Sequence, residues 1–208
     1  LIIVAITLTT LITSEEVIIK EKEVIKEIYP QEIVDTTEYG NALNETIEIA
    51  LEDDIYYGML FEYFNSLTND QIISEAIIDA ALEWDIPIGI AFGMAWTESN
   101  FDPRAINNFN SNKTRDWGLF QLNDSYRENW SKEDFFNPHK NAYEAMRYLS
   151  FVMQEHSYDI YLGVAAYNAG ASAVNEGISV STLRYLSSVF KYKDKVEKQL
   201  NNLLLTHN

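Results

Sequence analysis

Apolar residues recur at helical spacing along most of the chain. Ile73, Ala76, Ile77, Ala80 and Trp84 follow one another at intervals of three and four, which predicts an amphipathic helix. Thr68-Asn69-Asp70-Gln71 reads as the capping box that opens it. A second stripe, Ile88, Ala91, Phe92, Ala95 and Trp96, follows the turn Asp85-Ile86-Pro87, with Pro87 suited to the first turn of that helix. The strongest pattern is Ala142, Ala145, Met146, Leu149, Val152 and Met153, one stripe of a helix over residues 141–156. Residues 160–169 read as another helix, stopped at Gly170. Residues 43–65, 182–190 and 193–205 also read as helical, with Gly58 a weak point in the first. Residues 102–116 are polar and predict a loop, with room for one short hairpin between Asn107 and Asn123. The pattern defines a mainly α domain with at most a small β element.

The first 40 residues follow a different pattern. Residues 1–13 (LIIVAITLTTLIT) are apolar and uncharged, too short to span a bilayer but suited to the tail of a membrane anchor or a signal-peptide core. The chain starts at Leu1 rather than methionine, so a true beginning further upstream is expected. Residues 14–40 read as a charged stalk or linker, and the folded unit is expected over 41–208.

Charge changes the picture only in part. The net charge is −17, and residues 1–69 carry 14 acidic and 3 basic side chains. The acidity therefore belongs mainly to the stalk and reads as a solvated face. It argues against nucleic acid as a partner, because nucleic-acid sites are basic. There are no cysteines, and the three histidines, His139, His156 and His207, show no ligand spacing. Neither a metal nor another cofactor is expected. A membrane is expected to be met through the N-terminal segment alone.

One residue breaks the helical pattern in a chemically useful way. Glu98 lies seven residues after Ala91, four after Met94 and three after Ala95, so it shares their apolar face. Pro103 limits how far that helix continues, which leaves Glu98 in its last turns. A carboxyl among apolar groups is harder to ionise, the usual route to a glutamate that acts as a general acid. The alternative is an ordinary glutamate at a frayed helix end.

Four stretches resemble motifs of one family in order along the chain. Glu98-Ser99 followed by Phe101-Asp102-Pro103 and Ala105 resembles the catalytic motif of soluble lytic transglycosylases, the SLT domain of the lysozyme-like superfamily. Gly118-Leu119-Phe120-Gln121-Leu122 is similar to the second motif, with Phe120 where methionine is common. Asn137-Pro138 with Asn141, then Tyr148-Leu149, resembles the third, and Ala165-Ala166-Tyr167-Asn168-Ala169-Gly170 the fourth. Tyr185 sits where the family keeps a tyrosine near its catalytic glutamate. The resemblance covers residues 71–195 and makes 41–208 a lysozyme-like catalytic domain.

The resemblance implies a peptidoglycan lytic transglycosylase acting outside the cytoplasmic membrane, in the cell envelope, secreted or associated with a phage. It implies Glu98 as the single general acid and base, with peptidoglycan glycan strands as the partner. Ser99 and Tyr167 would orient Glu98 or the muramic acid, and Gln121, Asn123, Asn168 and Tyr185 would bind the substrate. Asp116-Trp117-Gly118 with Asn123 and Ser125 is also similar to animal-type lysozymes, whose second carboxylate stands two residues before this glycine. That comparison implies a retaining muramidase using Glu98 and Asp116. Otherwise Asp116 is a turn or loop anchor. A third reading, of another class, is a non-catalytic glycan-binding or structural protein of an envelope or phage particle.

Overall fold

The computed structural model describes residues 54–205 except 109 and 111. The apolar segment 1–13 and the stalk 14–40 lie outside the described residues. The described chain holds eight helices, α1 (Asp54–Thr68), α2 (Gln71–Glu83), α3 (Ile88–Ser99), α4 (Lys132–Phe136), α5 (Pro138–Glu155), α6 (Ile160–Ala169), α7 (Ala171–Glu176) and α8 (Val180–Leu205), and a sheet of three short strands. The strands β1 (Ile106–Asn107), β2 (Asp116–Trp117) and β3 (Leu122–Asn123) pair antiparallel in that order. A 3-10 turn, Asp124–Tyr126, follows β3.

The core is built around α3. Every residue from Ile88 to Ala95 is buried, so this helix is covered on all sides rather than along one stripe. It packs against α8 and α2, and α2 packs against α5. Gly93 permits the closest of these approaches, since a Cβ there would lie 2.5 Å from the Val189 carbonyl oxygen of α8. Phe92 stacks on Phe64 of α1 with ring centroids 5.0 Å apart, and Trp96 stacks on Tyr192 of α8 at the same spacing. All six residues of the α5 stripe, Ala142 to Met153, are buried as their spacing requires.

Local signals set the element ends. Asp70, not Thr68, caps α2, accepting from the Ile72 and Ile73 amides at 2.9 and 3.3 Å. The start expected at Thr68 is therefore displaced by two residues, and a simple N-cap replaces the expected capping box, because the third residue of the helix is Ile73. Thr68 instead bonds the Asp70 amide at 3.1 Å, and its oxygen lies 2.7 Å from the Ser74 hydroxyl. Asn137 caps α5 by accepting from the Lys140 amide at 3.0 Å, with Pro138 in the first position, where a missing N–H costs nothing. The two helices expected over 182–190 and 193–205 are one, α8. The expected gap at 191–192 is helical, with Tyr192 buried and stacked on Trp96, and the next residue, Lys193, is buried and paired with Glu197 at 2.7 Å. Among the described residues no helix is long and apolar enough to cross a membrane.

Candidate active site

Helix α3 ends where the site begins. Asn100 and Phe101 both take left-handed backbone conformations (φ 55° and 65°), and the Asn100 amide closes on the Trp96 carbonyl at 2.8 Å. This ending leaves Glu98 in the last turn, facing a cleft of about 840 Å³. The cleft is walled on one side by the sheet and on the other by α5 and the end of α6.

Burial pushes the Glu98 carboxyl up to about 7. The Tyr185 hydroxyl, donating to Oε1 at 2.6 Å, opposes that shift, and the nearby charge of Asp116 adds to it. The negative end of the α3 dipole acts in the same direction as burial. The net shift is toward the neutral acid, the direction that burial on an apolar face imposes. Burial, with Glu98 close by, also drives the Tyr167 and Tyr185 phenols well above their ordinary value, so both remain donors.

The second motif is fixed from behind by Asn141, which is fully buried. Its Oδ1 accepts from the Phe120 amide at 2.8 Å, and its Nδ2 donates to the carbonyls of Trp117 at 3.1 Å and Phe135 at 2.9 Å. One amide side chain thus satisfies three backbone groups of the β2–β3 turn and the end of α4. Gly118 makes that fit: its φ is +77°, and a Cβ there would lie 2.2 Å from the Phe135 oxygen. Tyr167 ties the same turn to α6, donating to the Phe120 carbonyl at 2.9 Å.

The other sequence-predicted residues divide between the cleft and its support. Gln121, Asn123, Tyr167, Asn168 and Asp116 line the cleft with Glu98. Gln121 turns its amide nitrogen onto the carbonyls of Gly118 at 2.9 Å and Ala105 at 3.2 Å. Ser99 and Tyr185 are not among the lining residues and act from behind. The Ser99 hydroxyl faces the Leu119 carbonyl at 2.7 Å and the Ala95 carbonyl at 3.2 Å, so it joins α3 to the second motif.

Asp116 sits at the centre of an arrangement that single-residue reading missed. The strand register sets Asn107 and Asn123 on either side of it. Asn123 donates to Oδ1 at 2.7 Å, while Asn107 and Asn110 donate to Oδ2 at 3.0 and 2.9 Å. Three amide donors converge on one carboxylate. Asn110, Asn112 and Thr114 also line the cleft, and so do Tyr126, Arg127, Glu144, Arg147 and Tyr148. Each asparagine alone reads as a turn residue; the signal available was their density beside the expected hairpin. Among the described residues no group of histidines and carboxylates could hold a metal ion.

A helical domain with a small antiparallel sheet beside a cleft, and a proton-holding glutamate at the end of its central helix, is lysozyme-like in class. Residues 75–182 match the family model of the transglycosylase SLT domain, and the chain belongs to that family. The match spans about half of the chain, includes all four motifs and lies inside the 71–195 core expected from them. It supports a glycan-cleaving enzyme of the lytic-transglycosylase type. No curated protein matches the chain.

Proposed function

We propose that this protein is a peptidoglycan lytic transglycosylase in which Glu98 alone serves as acid and base. The observation that carries the reading is Glu98 itself, facing the cleft with its carboxyl at about 7 and its Oε1 held by Tyr185. Because Tyr185 already supplies a donor at Oε1, the proton of the neutral acid belongs on Oε2. Glu98 gives that proton to the glycosidic oxygen as the bond from muramic acid C1 to N-acetylglucosamine breaks. The 6-hydroxyl of the same muramic acid attacks C1, and Glu98, now a carboxylate, takes the hydroxyl proton. A 1,6-anhydro ring forms, no water is consumed, and the enzyme returns to its starting protonation state. An attacker within the substrate needs no second carboxylate to activate it.

In this reading Ser99 sets the Glu98 helix against the second motif, Tyr167 ties that motif to α6, and Tyr185 orients the carboxyl. Gln121, Asn123 and Asn168 face the sugars. The domain would span 41–208, carried outside the cytoplasmic membrane by the segment 1–13 and the stalk 14–40.

The amide cradle of Asp116 favours a second reading, a retaining muramidase. Three donors would orient a carboxylate for attack or charge stabilisation across the sugar ring from Glu98. We rank it second because the family match and the motif at Tyr167 and Asn168 side with the transglycosylases. Turbidity loss of purified peptidoglycan tests the role of Glu98. Glu98→Gln keeps shape and a donor but no transferable proton, and because one residue serves as acid and base the rate should fall by about 10⁴-fold or more. A folded Glu98→Gln protein clearing the wall within about tenfold of wild type would remove Glu98 from the mechanism.

A further inference from the structure

The α5 side of the cleft carries charge that the proposed chemistry at Glu98 does not use. Glu144, Arg147 and Tyr148 stand three and four residues apart on α5 and face the cleft together, as helix geometry allows. Arg127, just after the 3-10 turn, joins them. Arg147 is half-exposed and directs Nε and Nη2 at one Glu144 oxygen, at 3.1 and 2.8 Å. Arg127 is nearly buried, its side chain 13% exposed.

Arg127 is the unusual member. Its nearest charge partner is the same Glu144 oxygen, 3.5 Å from Nη2, and that oxygen is already shared with Arg147. Its guanidinium lies 5.5 Å from the centre of the Trp130 ring, and its buried Nε has no hydrogen-bond partner. Two guanidinium groups therefore divide one carboxylate, leaving one positive charge in excess on the cleft wall. A nearly buried cation that must share its one counter-charge is costly unless a second anion completes the pairing. Planar forked donors match a carboxylate, which they can bind through two parallel bonds. The neighbouring Tyr148 ring lies 5.6 Å from that of Tyr167, which places the pair beside the proposed reaction centre.

We infer that Arg127 and Arg147 form a carboxylate-binding subsite that recognises the anionic peptide stem of a substrate muramic acid. The inference rests on the peptidoglycan reading above. It makes this wall of the cleft a specificity determinant: strands with free stem carboxylates are held, while strands with amidated stems lose that contact. The excess of positive charge here is local, set in a chain of net charge −17.

The test is calorimetric titration of the full chain carrying Glu98→Gln, which holds substrate without turning it over. Three probes are used: a stem-bearing tetrasaccharide with free carboxylates, the same molecule with its stem carboxylates amidated, and chitotetraose. The free-carboxylate form should bind about tenfold tighter than the amidated form, a gap of about 1.4 kcal/mol. Adding Arg127→Gln should bring the two affinities within about twofold. Adding Arg147→Gln, at a half-exposed position where folding is safe, should narrow the gap to about threefold. Equal affinities before either arginine is changed, or a gap that survives both changes, would overturn the subsite. Binding of chitotetraose with no preference between the stem forms removes this inference alone. Failure to bind any of the three glycans removes the peptidoglycan reading along with it.

Discussion

The Tyr185 hydroxyl donates to Glu98 Oε1 at 2.6 Å across 87 residues of sequence, joining α8 to the last turn of α3. The two helices are held in register by Gly93 against Val189 and by Trp96 on Tyr192, so the bond belongs to the packed core rather than to a mobile side chain. It stabilises the charged form of a carboxyl that burial otherwise keeps neutral.

Tyr185→Phe should therefore raise the Glu98 pKa above about 7. The basic limb of the pH profile of kcat/KM reports the free enzyme's essential acid, so it should move to higher pH. The rate at its optimum should fall roughly tenfold or more, the scale of one hydrogen bond to a charged group. A basic limb that stays in place while the rate drops would reduce Tyr185 to a packing role.

Asp116→Asn should shift the same limb the other way. The Asp116 charge raises the Glu98 pKa, and its removal makes Glu98 ionise more readily. Under the transglycosylase reading the variant keeps activity within about tenfold of wild type, well short of the loss from removing an acid–base group. The new amide nitrogen must face one of the three asparagine donors, so a modest drop in Tm is expected as well. An activity loss as deep as that of Glu98→Gln would instead favour the two-carboxylate mechanism.

Glu98→Gln should change stability as well as activity, in a pH-dependent way. The carboxyl titrates near 7 when folded, against a value of 4.5 for the free side chain. Between those values the native state holds a proton that the unfolded chain has released, so stability falls as pH rises through the window. The accumulated cost above pH 7 is at most about 3 kcal/mol. Glu98→Gln should match wild type in thermal melts near pH 4 and exceed it near pH 8. Equal melting at both pH values would contradict a Glu98 whose pKa is raised in the folded state.

How much of this was legible in the sequence depends on the range of the interaction. The place of Glu98 on the α3 face follows from spacing alone, because residues three, four and seven apart must share a side of a helix. The α5 stripe and the stop at Gly170 are equally local. The position of Tyr185 beside Glu98 is not encoded in any local pattern and was reached only through the resemblance. The Asp116 cradle was hidden for the same reason: strand register, not spacing, brings Asn107 and Asn123 to it. The continuity of α8 through 191–192 is not local either, since burial of Tyr192 against Trp96 and of Lys193 with Glu197 sets it. The short helices α4 and α7 were missed because five or six residues carry too little periodicity.

The mass of the muropeptides released by the wild-type protein tests the central claim most directly. Digestion of purified peptidoglycan, followed by mass spectrometry of the soluble products, separates the two chemistries because they differ by one water. Internal attack by the 6-hydroxyl predicts muropeptides with 1,6-anhydromuramic ends and no reducing terminus. Products heavier by one water, with free reducing ends that borohydride converts to alditols, would contradict transglycosylation and establish hydrolysis in its place.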